Sequence, residues 1–557
     1  MNKGKTNGQT LRALACIGAA AAAWAAACLI FGAYYDTNDD PAIANIAAGA
    51  FGEQSEMLVY VNVLLGLLFK ALYKIAFLPW FYIVSTQLVI LSLGIVGFVI
   101  TDRIRGAGGV LIYAAVLLSS GFTLFANVQY TKNAAVILSA GLLLIVWSRG
   151  ENKLAAWLGA GLFAVGSLVR FNIFVPVLGV FLPALVLMLC RTRNKSARIR
   201  AAACLVVSLA LVMGCHMFDT AYYENDPDWS GFIEYNSART DFLDYKINFA
   251  DRYGDVYDYF DLGVSRTEYD LAKTWNFNDP DFFTTEKFRE LSAATASPTL
   301  VQRMRDFFAN IPNTVFSTSH YIALILCSIA AFIMLRGREK LYAAATLLFS
   351  FGGMALLGYM GRFIDRAAEA IVIATYCAII ALLPTVKEPD TVEKARGLSA
   401  TIYKNSAKII CCAAVAAIVA CSPYEAKLKA ENRDYENYGT GAVQVIEAAA
   451  KNKQTLYILD SEYINAIHGR DAMHTLEPGA LDNVVFFGSW LAQSGFEKQT
   501  LARFGETNAF AAAAHNPNAR MYVNIYMEEI VNYIFLHYGT GPELIPNSDG
   551  SYSYAHE

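Results

Sequence analysis

Three carboxylates offer the first chemistry in this sequence. The segment Tyr34 to Gly52 reads YYDTNDDPAIANIAAGAFG, and Asp36, Asp39 and Asp40 fall within five residues directly after an apolar run. Carboxylates crowded beside a low-dielectric medium repel one another, so at least one should keep its proton to higher pH than usual, which makes it a candidate general base. The same trio could instead hold a hard divalent cation, which takes oxygen ligands. A plainer alternative is a solvated turn, with Asp40 as N-cap of a helix that starts at Pro41.

Four cations stand where they could face those carboxylates. Arg170 lies in SLVRFNIF, Arg362 and Arg366 in YMGRFIDRA, and Lys132 beside Tyr130 in VQYTKN, each in or beside a short gap between apolar blocks. Guanidinium groups grip oxyanions through two parallel bonds. Arginines at helix ends also snorkel to lipid headgroups, which is the alternative for each. Other patterns carry less. The seven histidines, His216, His320, His468, His474, His515, His537 and His556, show no HExxH or similar spacing. Gly108-Gly109 and Gly352-Gly353 fall in apolar blocks, where small residues let helices approach closely. YGTG recurs at Tyr438 to Gly441 and Tyr538 to Gly541, but neither copy follows a strand as a dinucleotide site requires.

The elements that must position these residues are set by composition. The chain has 557 residues, with 44 Lys and Arg against 48 Asp and Glu, a net charge of −4. That balance excludes a nucleic-acid binder driven by bulk positive charge. Hydrophobic residues make up 55% and charged residues 17%, where soluble chains carry about a quarter charged. Mean hydropathy is +0.36. The apolar residues come in long blocks, so the chain is read as a polytopic membrane protein rather than a soluble enzyme.

Apolar blocks lie near 13–33, 57–78, 80–101, 108–126, 133–148, 154–169, 172–190, 201–218, 316–335, 341–360, 364–385 and 407–422. Lys3, Lys5 and Arg12 precede the first in the manner of a signal peptide, but its 21 residues span a bilayer, so it reads as an uncleaved anchor. The second block contains Lys70 and Lys74, ends at Pro79, and could cross or lie flat as an amphipathic piece. Positive-inside bias decides between the two. With that block lying flat, the inner segments carry twenty Lys and Arg and the short outer loops six. The expectation is therefore eleven crossings, a cytoplasmic N-terminus, and residues 34–79 as one long outer loop. All ten cysteines lie in apolar blocks, so neither a disulfide framework nor a Cys-based metal site is expected.

Two large hydrophilic parts remain, and both map outside. Residues 219–314 hold 18 acidic and nine basic side chains, and 20 of these 96 residues are Phe, Tyr or Trp. Prolines and Gly254 punctuate short helical stretches such as 299–310, which suggests a helical loop domain. Residues 423–557 read as a small α/β domain, with strand-like runs Leu456 to Leu459, Val484 to Phe487 and Met521 to Tyr526 and helical patterns at Ala442 to Ala450 and Glu528 to His537. The expected fold is thus mainly α. It comprises an N-terminal membrane module (1–218), the loop domain (219–314), further membrane helices (315–422) and the α/β domain.

At this point the chain resembles the GT-C glycosyltransferases, membrane enzymes that take a sugar from a polyprenyl-phosphate carrier. The resemblance rests on a first crossing with an acidic pair at its outer end, the amphipathic stretch Leu58 to Phe77 in the same loop, many crossings and an external C-terminal domain. It is closest to a bacterial branch with a TNDD first loop, a W-x-x-F-x-x-Y-N-x-x-R middle loop (Trp229, Phe232, Tyr235, Asn236, Arg239) and an FFGSW stretch (Phe486 to Trp490).

The resemblance implies an acidic residue of the first outer loop as catalytic base, or as metal ligand where a metal is used. Asp39 and Asp40 occupy the matching positions. A sugar hydroxyl is a weak nucleophile, and a carboxylate in hydrogen-bond reach can take its proton as the bond to the anomeric carbon forms. One carboxylate suffices for inversion, whereas retention normally needs a second as nucleophile. The departing polyprenyl phosphate would need cations, for which Arg170, Arg362, Arg366 and Lys132 are the candidates. In YNSARTDFLDY, Arg239, Asp241 and Asp244 alternate with aromatics that suit stacking on a sugar face, although an internal ion pair and an aromatic core are the alternatives. Trp490 would act on the acceptor side, an envelope glycan or lipid.

Two other classes compete. A flippase, polymerase or transporter of lipid-linked glycans would place ionisable residues deep within the crossings, whose centres here are nearly free of charge. A non-catalytic envelope protein would use the crossings only as an anchor.

Overall fold

The computed structural model describes residues 3–383 and 441–554, apart from 248–253, 255, 296, 317–319, 461–462, 464–471, 524–525, 540–543 and 549. The expected last crossing at 407–422 and the inner segment that precedes it lie outside the described residues. The described chain is mainly helical. Apolar runs form helices because a helix satisfies every backbone polar group within one segment, as lipid demands.

The first helix, α1 (Lys3–Phe31), leads into a loop that contains the short α2 (Asp39–Ala48) and α3 (Val63–Tyr73). There follow α4 (Trp80–Arg103), α5 (Ala107–Gly121), α6 (Tyr130–Ser148), α7 (Lys153–Val169), α8 (Phe174–Arg191) and α9 (Lys195–Glu224). Six of the described helices are long and apolar enough to cross a membrane: α1, α4, α6, α8, α9, and the later helix Glu339–Tyr359. Four more, among them α3, are apolar but shorter. This is the build of a multi-pass membrane protein. The eleven residues of α3 rise roughly 16 Å, about half of a ~30 Å hydrocarbon core.

The helix α6 is the axis of the bundle, buried almost throughout, with α4, α7 and α8 around it. Its contact with α7 is close because glycines meet there. A Cβ on Gly141 would stand 2.7 Å from the Gly159 carbonyl oxygen, and one on Gly159 would stand 2.6 Å from that of Gly141.

After α9 the chain forms α10 (Pro227–Thr240), α11 (Arg266–Lys273), α12 (Thr285–Ala294) and α13 (Leu300–Phe316), then returns to the bundle as α14 (His320–Met334), α15 (Glu339–Tyr359) and α16 (Asp365–Leu382). Residues 441–451 are helical and precede a five-stranded sheet. Two-residue strands β1 (Tyr34–Tyr35) and β2 (Asn127–Val128) pair in parallel, and the sheet comprises β3 (Leu456–Leu459), β4 (Val484–Phe486), β5 (Ala519–Tyr522), β6 (Leu544–Pro546) and β7 (Tyr552–Tyr554) in the order β4-β3-β5-β7-β6. The first three are parallel, and a β6–β7 hairpin closes one edge. The strand-like runs at 456, 484 and 521 do form strands, although the last spans Ala519–Tyr522. Helices Gly495–Arg503 and Ala509–His515 and the terminal hairpin are additions to the sequence reading.

The loop after α1, the segment from α10 to α12 and the sheet domain share one hydrophobic core and form a cap on one end of the bundle. Backbone bonds clamp the sheet domain to the first loop: Ala472 N donates to Ala33 O at 2.6 Å, Gly479 N to Gly49 O at 2.8 Å and Leu481 N to Ala50 O at 2.6 Å. Side chains lock it to the middle segment. Gln493 Nε2 donates to Phe277 O (2.9 Å) and Phe283 O (3.0 Å). Asp279 accepts from Tyr533, Tyr538 and Asn508. Asn278 Nδ2 donates to Glu497 at 2.9 Å, yet burial still pushes the Glu497 carboxyl up to about 8.

Two outcomes follow from this packing. Gly141→Leu and Gly159→Leu should each cost about 1–3 kcal/mol through overpacking and lower the thermal midpoint of detergent-purified protein. Gly161→Leu, where a Cβ meets open space, should leave it unchanged. Glu497 stays protonated in the folded state where the unfolded chain has released its proton, so stability should fall as pH rises from about 4.5 to about 8. Glu497→Gln should flatten that slope in midpoint-versus-pH measurements.

Candidate functional site

Asp39 and Asp40 open α2 with Asn38 as N-cap. The helix therefore starts two residues before the Pro41 start expected from sequence, and Asp40 is not the cap. Adjacent residues on a helix point about 100° apart, and the two carboxylates go to different places. Asp40 is fully buried: Oδ1 accepts from the Tyr130 backbone N–H at 2.8 Å and Oδ2 from the Thr37 hydroxyl at 3.1 Å. It thus binds the exposed N–H of the first turn of α6, an electropositive helix end. Burial, reinforced by the neighbouring Asp39 charge, holds the Asp40 carboxyl well above the usual carboxylate range.

Asp39 turns instead into a cavity of about 570 Å³ between the bundle and the cap, and Arg170, Arg362, Arg366 and Trp490 line the same space. Arg366 Nη2 stands 3.9 Å from Asp39 Oδ2, and the Tyr130 hydroxyl donates to that oxygen at 3.4 Å. Arg362 is held by Asp244 at 2.6 Å. Asp244 and Tyr245 reach the cavity because residues Asp241–Lys246 form a wide π-helical turn, a distortion frequent at functional sites. Arg170 has a different environment. Its guanidinium carbon lies 4.9 Å from the Tyr60 ring centroid and 5.2 Å from that of Tyr130, and among the described residues it has no carboxylate partner. Rings can stabilise a cation, but they leave its N–H donors to serve an incoming oxyanion.

The other residues singled out in the sequence lie elsewhere. Lys132 is buried behind the cavity wall, 2.9 Å from Asp36 and 3.7 Å from Glu369. Asp36 also accepts from Asn127 at 2.9 Å, so it belongs to the β1–β2 junction. Asp241 bonds Ser292 (2.6 Å) and Lys246 (3.3 Å) and does not line the cavity. Arg239 is buried against Trp275 and Phe277. The three early carboxylates do not converge on one point, and among the described residues no group of three or more His, Cys, Asp or Glu side chains is placed to hold a metal ion.

Sequence reasoning passed over several lining residues. Tyr60, Asn62, Asp219 and Trp275 carry no recognisable motif, and His216, which falls in an apolar block, stacks on Phe171 with centroids 3.7 Å apart. A local signal in the backbone marks the site. Val59 and Trp275 both line the cavity with positive φ, 65° and 66°. A β-branched or bulky side chain rarely adopts that conformation, and such strain clusters where proteins bind ligands.

No family model and no curated protein matches this sequence.

Removing the buried lysine tests the support behind the wall. Lys132→Met would leave Asp36 and Glu369 without their shared cation, at a cost of about 3–5 kcal/mol. The yield of monodisperse protein and its thermal midpoint should both fall. The double variant Lys132→Met/Glu369→Gln should recover part of the loss.

Proposed function

We propose that this protein is a membrane glycosyltransferase of the GT-C type, which moves a sugar from a polyprenyl-phosphate donor to an envelope glycan or lipid. In this reading the chain crosses the plasma membrane eleven times, with the N-terminus in the cytoplasm and the cap outside. The observation that carries the reading is the shared cavity: a carboxylate, Asp39, and a guanidinium with no carboxylate at ion-pairing distance among the described residues, Arg170, at the boundary between apolar helices and a polar cap.

The chemistry is a single displacement. Asp39 accepts the proton of the acceptor hydroxyl while its oxygen bonds to the anomeric carbon. The bond from that carbon to the phosphate oxygen breaks, and the electron pair leaves with the phosphate. Arg170 bonds the departing oxyanion through two N–H groups, with Arg362 and Arg366 adding positive potential. One carboxylate at the reacting centre gives inversion. Asp40 positions the site by joining α2 to α6, so its replacement acts on folding more than on rate.

One observation favours transport of a lipid-linked glycan as a second reading. Lys132, Glu369 and His320 form a buried ionisable cluster inside the bundle, with His320 Nε2 3.9 Å from Glu369. All three lie in the first two turns of their helices, at the capped end and not at mid-membrane, which fits a supporting role better than a conduction path.

Purified protein in liposomes with radiolabelled polyprenyl-phosphate sugars separates these readings. Asp39→Asn should slow transfer roughly 10²–10⁴-fold and Arg170→Ala roughly 10²–10³-fold, each with a normal thermal midpoint. Activity that persists in EDTA supports Asp39 as base, and activity lost in EDTA and restored by Mg²⁺ or Mn²⁺ supports a metal at the carboxylates. Movement of the lipid across the bilayer without transfer supports the transporter.

A further inference from the structure

The cavity has two chemically different walls. One carries the charges already described. The other is built from Ile233, Asn236, Ser237 and Thr240 of α10 together with Trp275, and it carries no charged side chain. Hydroxyl and amide groups beside an indole suit a ligand that is neutral, hydroxylated and flat on one face, which describes a pyranose ring.

Trp275 holds an uncommon backbone conformation. Helix α11 ends at Lys273, and Trp275, two residues on, has φ 66° with its N–H donating to Ala272 O at 3.0 Å. A left-handed residue at a helix terminus is normally Gly, because only Gly adopts that conformation without a Cβ penalty. Trp is among the bulkiest residues that could stand there. Its ring lines the cavity and is not wholly buried in the cap.

Arg239 explains how the ring is held. Its side chain is 1% exposed, and its guanidinium carbon lies 4.6 Å from the Trp275 centroid and 5.2 Å from that of Phe277. Among the described residues it has no carboxylate partner, and Nε and Nη1 make no hydrogen bond. A buried charge of this kind is costly, and here it is spent on a ring face and on Asn236, which also lines the cavity. Arg239 itself does not line the cavity.

We propose that Trp275 is the stacking platform for a pyranose ring of the acceptor, and that Arg239 is the positioning residue that fixes that platform. The proposal rests on the glycosyl-transfer reading and adds the chemical class of the second substrate and the wall that receives it. The aromatic face packs on the axial C–H groups of the sugar, while Ser237, Thr240 and Asn236 exchange hydrogen bonds with its hydroxyls.

The full chain in phosphatidylcholine nanodiscs, probed with a panel of methyl pyranosides and short oligosaccharides, tests this by saturation-transfer NMR and titration. At least one sugar should bind, with saturation strongest on the C–H protons of one ring face. Trp275→Ala should weaken that sugar roughly tenfold or more, and Trp275→Phe less. Arg239→Met should weaken it while leaving polyprenyl-phosphate binding unchanged, and Arg239→Lys should restore part of the loss. Trp275→Gly should abolish sugar binding and lower the thermal midpoint, since it frees the unfolded chain and leaves the buried Arg239 guanidinium without its ring face. Sugar binding at wild-type strength in Trp275→Gly would overturn the proposal. Undiminished sugar binding in Trp275→Ala would overturn it too, with glycosyl transfer left standing. A wild-type protein that binds polyprenyl phosphate but no sugar would refute the platform alone, and one that binds neither would sink both readings.

Discussion

The bond between the Asp40 carboxylate and the Tyr130 amide joins the first loop to the central helix, and the geometry of the site depends on it. Near this point the loop after α1 is also tied to the bundle by the two-residue strand pair and by the contacts of Lys132 with Asp36 and of Tyr130 with Asp39. Because Asp40 is consumed in that bond, the helix turn directs Asp39 the other way, into the cavity. A buried carboxylate on a helix N-terminus gains from the helix dipole and from satisfying a donor that no turn of α6 can reach. The cost of its burial is visible in its raised affinity for a proton. Lys132, between Asp36 and Glu369, repeats the principle one turn away and ties the same loop to α16, the helix that presents Arg366.

The cavity is therefore an electrostatic arrangement fixed from behind. Arg362 and Arg366 each have a carboxylate close by, whereas Arg170 rests on two tyrosine rings. Rings hold a cation in place without neutralising it, so Arg170 keeps its appetite for an anion. The cap covers this charge with residues Gly488 and Trp490, which directly follow the carboxyl end of β4. Loops at the carboxyl ends of parallel strands are where α/β sheets place ligands, and here one such loop closes over a membrane bundle.

The apolar helices were legible in the sequence because lipid demands uninterrupted runs, and β3 and β4 because short apolar runs stood between turn residues. Asp39, Arg170, Arg362, Arg366 and Trp490 could be named from residue type and from their place at block ends. Their meeting in one cavity could not, since it depends on how helices far apart in the chain pack. The split between Asp39 and Asp40 was hidden because the helix begins at Asp39 and not at Pro41. Lys132 and Arg239 were read as ligand-facing because sequence does not reveal burial. Trp275 and Val59 were missed for a physical reason: the sign of φ at one residue is decided by its neighbours in space. The β1–β2 pair is too short to leave any period in the sequence.

A cryo-EM map of the protein in nanodiscs, saturated with a polyprenyl phosphate, tests the central claim most directly. The account predicts phosphate density against the Arg170 guanidinium, in the same cavity as the Asp39 carboxylate, with the lipid chain leaving toward the bundle. Phosphate held at another place on the protein, with the Arg170 cavity vacant, would contradict it.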